Sequence, residues 1–173
     1  ENTLRWHVEG PFDSNYSLAI LNRNFSLALS REVFSFSLNN TEGPGDYIPN
    51  IAFLKKLDSF YKLFITSSDS GNLDICSRNL YPPRVDDMHS RINLIHAYGW
   101  EETQLPIDWI DDFNTNLQGI TVMSNLVRKI LIDNGVYIPI SISPLGINHI
   151  DDTFDKYELT VDLKSFVFLH ISS

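Results

Sequence analysis

Strand-like and helix-like apolar patterns alternate along almost the whole chain, and this alternation limits the fold more than any single motif. Leu4 to Val8 reads as a first strand. Leu18, Leu21, Phe25 and Leu29 recur at helical spacing and predict a helix with a buried apolar stripe, with Asp13 or Ser14 as its N-cap. Val33 to Leu38 alternates as a second strand, and "NNTEGPGDYIPN" is dense enough in turn formers to predict a loop. Ile51 to Phe64 predicts one amphipathic helix through Ile51, Leu54, Leu57, Tyr61 and Phe64. Strands are then expected at Leu73–Ser77, Ile92–Ala97, Ile120–Ser124 and Pro139–Ser143. Helices are expected at Ile107–Leu117 and along "SNLVRKILIDNG", capped by Ser124 and stopped by Gly135. Such alternation predicts an α/β fold: a Rossmann-like, mostly parallel sheet with helices on both faces. Ligands bind beyond the carboxyl ends of the strands in such sheets, near a reversal of strand order. That rule nominates the loops after Val8, Leu38, Ser77 and Ile95.

The chain has 173 residues, which suits one domain with its own core. Residues 1–150 are read as that domain. From 147 to 164 the sequence is polar and acidic, like a linker, and "FVFLHISS" then reads as a strand with no helix after it. The expectation is therefore a domain over 1–150, and over 151–173 a linker and the first strand of a second domain that continues beyond it. An orphan strand edge of this kind predicts self-association of the fragment.

Net charge is −9, which argues against a nucleic-acid partner. Lys55, Lys56 and Lys62 form a local basic group, read as a solvated helix face that leaves peripheral membrane contact open. No apolar run approaches the ~20 residues that span a bilayer. The single cysteine, Cys76, has no disulfide partner and no zinc-site companions, which fits a reducing cytoplasm.

Three stretches invite chemistry. The loop Gly10, Pro11, Phe12, Asp13, Ser14 joins a strand to a helix, and backbone N–H groups in such loops face anions. Gly10 would let a phosphate approach the backbone closely. The plainer reading is a βα turn with a capped helix. In "NLIHAYGWEET", His96 ends a predicted strand and is followed by Tyr98, Trp100, Glu101 and Glu102. A histidine there can donate a hydrogen bond or act as a base. Rings beside carboxylates also suit a sugar, whose C–H faces stack and whose hydroxyls donate. The plainer reading is a core histidine and a solvated acidic loop. In "CSRNLYPPR", Arg78 or Arg84 could pair with phosphate. The pairs Asp86–Asp87, Asp111–Asp112 and Asp151–Asp152 lack the spacing of a calcium loop, so no metal is expected.

The stretches "WHVEGPFDSNYSLAILNR", "TEGPGDY", "SRNLYPPR", "NLIHAYGWEET", "VRKILIDNGVYIPISISPLGINH" and "FVFLHISS" occur in an order that resembles bacterial group 1 glycosyltransferases. The resemblance covers nearly the whole chain. It implies the amino-terminal half of a GT-B enzyme, in which two Rossmann-like domains face across a cleft. It further implies retaining transfer from a nucleotide-sugar donor to a glycan or lipid-linked acceptor, with no metal or other cofactor. The setting it implies is the cytoplasm, at the inner face of the membrane. By resemblance, Gly10, Pro11, Phe12, Asp13 and Ser14 approach donor and acceptor, and His96 lies near the transferred sugar. Arg78, Tyr98, Trp100, Glu101 and Glu102 complete the expected substrate contacts. Two departures stand out. The family often has two adjacent glycines where this chain has Gly10 alone, and Leu145 replaces the asparagine of the family's hinge motif, although Gly146 remains. The carboxylate pair of the family belongs to the absent half, so the fragment alone is expected to be inactive. The alternative is a non-catalytic flavodoxin-like module or scaffold holding a phosphorylated ligand.

Overall fold

The computed structural model describes residues 4–32, 35–67 and 74–147. Its sheet is built from β1 (Arg5–Gly10), β2 (Ser35–Glu42), β3 (Gly45–Asp46), β4 (Ile75–Arg78), β5 (Ile92–Tyr98), β6 (Gly119–Val122) and β7 (Ile140–Ile142). The helices are α1 (Ser17–Leu29), α2 (Ile51–Leu54), α3 (Asp58–Thr66), α4 (Ile107–Asn116) and α5 (Asn125–Asp133). The seven strands lie in the order β3-β2-β1-β4-β5-β6-β7, all parallel except the β2–β3 hairpin. The α/β fold with a mostly parallel sheet is therefore as expected. The linker and final strand expected over 151–173 lie outside the described residues.

Parallel register fixes which side chains share a face. His7 pairs with Cys76 and Val8 with Ser77, so Val8 and Cys76 point to opposite faces. Each face has its own core. Val8, Phe12, Leu54 and Phe60 pack with Trp6, Phe25, Phe36 and Leu38 under α1, α2 and α3. Ile95, Tyr98, Ile120 and Val122 pack with Phe113, Val127 and Leu131 under α4 and α5.

Four details differ from expectation, each for a physical reason. β1, β2 and β5 run further than the apolar pattern, because parallel pairing continues through Gly10↔Asn40 and Tyr98↔Val122. Asn40 and Thr41 are thus buried strand residues, and the "NNTEGPGDY" loop shrinks to a tight hairpin turn at Gly43–Pro44. The helix expected over Ile51–Phe64 is broken between Leu54 and Asp58. In a continuous helix Leu54 and Phe60 would point about 120° apart. Both are fully buried in one core, which the break permits. α1 begins at Ser17, too late for Asp13 or Ser14 to cap it, and Tyr16 at its N-cap position makes no side-chain cap bond. By contrast α5 is capped as expected: Ser124 Oγ accepts from Val127 N at 3.2 Å, and Gly135 follows with φ +99°.

Candidate functional site

Strand order reverses at β1: the chain steps from β1 to β2 on one side, then to β4 on the other. The carboxyl ends of β1 and β4 therefore border the place where an open α/β sheet takes its ligand. On the α1 side of the sheet that place is filled by the protein itself, whereas on the opposite face an open cavity of about 570 Å³ is lined by His7, Glu9, Cys76, Arg78 and Asp87. Asn22, on the buried side of α1, donates from Nδ2 to Asn79 O at 2.9 Å and to Pro11 O at 3.2 Å. Its Oδ1 lies 2.9 Å from His96 Nε2. Asn79 in turn donates from Nδ2 to His96 O at 2.8 Å. One asparagine thus ties together α1 and the ends of β1, β4 and β5.

Both Asn22 donors are spent on carbonyls, so its oxygen must accept, and His96 Nε2 must carry the proton. His96 Nδ1 is then a bare acceptor, and it is buried without a partner. The ring is 2% exposed and stacks on Phe25 at 4.0 Å with an interplanar angle of 7°. Burial pushes its pKa down to about 3. The imidazole expected to touch sugar is a neutral core group whose open face is covered by Phe25. The next residue, Ala97, holds φ +50°, a strained value for a residue with a Cβ, with its N–H on Thr121 Oγ1 at 2.8 Å.

Gly10 is needed for a different reason from the one expected. A Cβ there would stand 2.3 Å from Asn22 Nδ2 and 2.7 Å from Asn79 O, and the backbone sits at φ +153°. The glycine admits protein, where the sequence suggested phosphate. Pro11 and Phe12 are fully buried, Phe12 in the core with Phe60 and Phe64. Asp13 turns toward the segment after β3, accepting from Tyr47 OH at 2.8 Å and Asn50 N at 2.6 Å. The Ser14 carbonyl accepts from Arg23 Nη1 at 2.6 Å, while its hydroxyl is buried without a partner.

Arg78 is committed as well. It pairs with Glu9 at 2.6 Å and with Asp87 at 2.5 Å, and its side chain is 5% exposed. Arg84 lies 3.1 Å from Asp87, without hydrogen-bond alignment, and donates to Thr41 Oγ1 at 2.8 Å. Two guanidinium groups thus share two carboxylates, leaving little net charge for a phosphate. Burial would raise the Glu9 carboxyl, but His7 and Arg78 outweigh it and hold it near 2. Burial, with the Glu9 carboxylate beside it, pushes the Cys76 thiol well up, so it is no nucleophile. Tyr98 packs edge-to-face on Phe113, and its hydroxyl is buried without a partner beside a cavity of about 10 Å³. That volume admits nothing larger than a water.

These titrations make acid weaken the fold. An unfolded histidine takes a proton near pH 6.5, whereas folded His96 resists down to about 3. Its contribution is complete above pH 6.5 and is lost at up to about 1.4 kcal/mol per unit as pH falls below that. Glu9 acts in the same sense lower down: its contribution is complete above 4.5 and is lost as pH falls toward 2. Urea denaturation at pH 7.5 and pH 4.5 should therefore differ by about 2–3 kcal/mol from His96 alone. A flat profile would contradict a buried neutral imidazole.

The expected residues that do reach the surface lie further along the same edge. Trp100 is half-buried and donates from Nε1 to Gln104 O at 3.0 Å, while Glu101 and Glu102 are exposed. Sequence reading missed Asn22, Asn79, Tyr81 and Trp109. The one available signal was a polar stripe at helical spacing, Asn22, Arg23 and Ser26, beside the apolar one. Among the described residues, no group of three His, Cys, Asp or Glu side chains could hold a metal. Nor is any helix of the described residues long and apolar enough to cross a membrane. No family model, curated protein or solved structure matches the chain.

Proposed function

We propose that this chain is the amino-terminal, acceptor-side domain of a retaining GT-B glycosyltransferase, acting on a nucleotide-sugar donor and a glycan or lipid-linked acceptor. One observation carries the reading. The segments "GPFDSNYS", "SRNLYPPR" and "HAYGWEE", which bear much of the sequence resemblance, all leave the sheet at its carboxyl edge, around the reversal of strand order. Loops at that edge are where open α/β sheets hold ligands.

In this reading the residues divide into a support and a contact layer. Gly10, Asn22, Asn79 and His96 fix the strand ends, so His96 is a positioning residue. Trp100, Glu101 and Glu102 reach solvent and meet the acceptor. The nucleotide falls to a second domain. Lys55, Lys56 and Lys62 are all exposed, and they supply the cytoplasmic domain's contact with an anionic membrane surface. A second reading, a scaffold without transfer, is favoured by the way Asn22 fills the space beside Gly10.

The test is transfer by the full-length protein with a panel of nucleotide sugars, beside a Glu101→Gln/Glu102→Gln variant. Turnover in the parent, with acceptor KM raised about tenfold in the variant, supports the reading; that ratio corresponds to roughly 1.4 kcal/mol of lost binding. No turnover with any donor would move the assignment to the scaffold.

A further inference from the structure

Three aromatic rings from three separate segments meet at the carboxyl edge. Tyr81 comes from the β4–β5 connection, Trp100 from the loop after β5 and Trp109 from the first turn of α4. Tyr81 and Trp109 stand 6.1 Å apart at 88°, and Trp100 and Trp109 stand 5.3 Å apart at 74°. An edge-to-face pair covers the face of only one ring. Tyr81 stays 63% exposed, so much of its ring remains in water at the carboxyl edge of the sheet.

The surroundings are acidic. From Glu101 to Asp112 the chain carries Glu101, Glu102, Asp108, Asp111 and Asp112 and no lysine or arginine. The crowding is felt at Asp112, whose carboxyl is raised by burial and by Asp86, Asp108 and Asp111. Carboxylates accept hydrogen bonds and offer none, so they suit hydroxyl donors and repel anions.

We infer that the Tyr81–Trp109–Trp100 patch is a stacking platform for a neutral sugar ring of the acceptor, with Glu101 and Glu102 accepting from its hydroxyls. The inference rests on the glycosyltransferase reading and narrows it to neutral acceptors. The C–H face of a pyranose would remove the exposed ring from water without needing any charge on the ligand. An acceptor ending in a uronate would meet the acidic run.

The experiment titrates the 173-residue chain with a neutral hexose tetrasaccharide and with a tetrasaccharide of hexuronates, read by tryptophan fluorescence and saturation-transfer NMR. Tyr81→Ser is the principal variant, since so exposed a side chain can be cut without opening the core. The neutral glycan should bind, the uronate should bind at least tenfold more weakly, and Tyr81→Ser should weaken the neutral glycan about tenfold. Absence of neutral binding, preference for the uronate, or indifference to Tyr81→Ser would each overturn the platform. Acceptor KM in the full-length protein separates the two readings. Transfer with KM unchanged by Tyr81→Ser removes the platform and leaves the glycosyltransferase. Glycan binding lost in Tyr81→Ser, with no transfer from any donor, keeps a sugar platform and removes the enzyme.

Discussion

Replacing Gly10 by alanine is expected to destabilise the domain by about 3–4 kcal/mol, a large share of the stability of a domain this size. Two costs combine. The added methyl would sit 2.7 Å from the Asn79 backbone oxygen and 2.3 Å from Asn22 Nδ2. Neither neighbour can withdraw freely: Asn22 is held by three bonds, and Asn79 is held to the ends of β1 and β5 by its own. The backbone at φ +153° adds strain that any side chain would feel. Urea denaturation followed by far-ultraviolet circular dichroism measures the loss. The double variant Gly10→Ala/Asn22→Ala should cost less than the sum of its singles, because the clash and the asparagine node share atoms. A Gly10→Ala protein within about 0.5 kcal/mol of the parent would instead mean that the glycine serves a ligand rather than the packing. That is the outcome a phosphate loop predicts.

Gly10 also shows where the sequence was legible and where it was not. The alternation of strands and helices needed only period and punctuation, and it gave the fold class. Strand ends were misjudged because pairing extends a strand beyond its apolar pattern, as at Glu9–Gly10, Asn39–Glu42 and Tyr98. The break in the Ile51–Phe64 segment was hidden because Leu54 and Phe60 share a core that only the tertiary structure defines. At the candidate site the sequence offered individual residues but not their surroundings. A buried histidine bonded to an asparagine 74 residues away leaves no local trace. Arg78 was legible as a strand-end arginine, whereas its partners Glu9 and Asp87 come from another strand and a loop. Trp100, Glu101 and Glu102 sit together in sequence, but their aromatic companions Tyr81 and Trp109 arrive from separate elements.

Asn22→Leu keeps the branching and heavy-atom count of the side chain and is expected to cost about 4 kcal/mol. The change strands three groups at once: His96 Nε2–H, Pro11 O and Asn79 O. Each buried group left without a partner costs about 1–3 kcal/mol, and the new apolar surface recovers part of the sum. Asn22→Asp separates the chemistry from the packing. Its carboxylate still accepts from His96 but opposes the two carbonyl oxygens that Asn22 Nδ2 bonds. The negative charge also favours an imidazolium, so the His96 pKa should rise well above the value near 3 that burial gives it in the parent. Folded-state protonation then replaces refusal, and the acid loss of stability from His96 should shrink or reverse between pH 6.5 and pH 4.5. Denaturation of both variants across that range, with an NMR titration of the His96 ring, measures each effect. If Asn22→Leu were as stable as the parent, the node would be incidental and the strand ends would be held by the sheet alone. If Asn22→Asp left the imidazole untitrated, the His96–Asn22 contact would not be the bond that sets its protonation, and His96 would lose its assigned role in holding the carboxyl edge of the sheet.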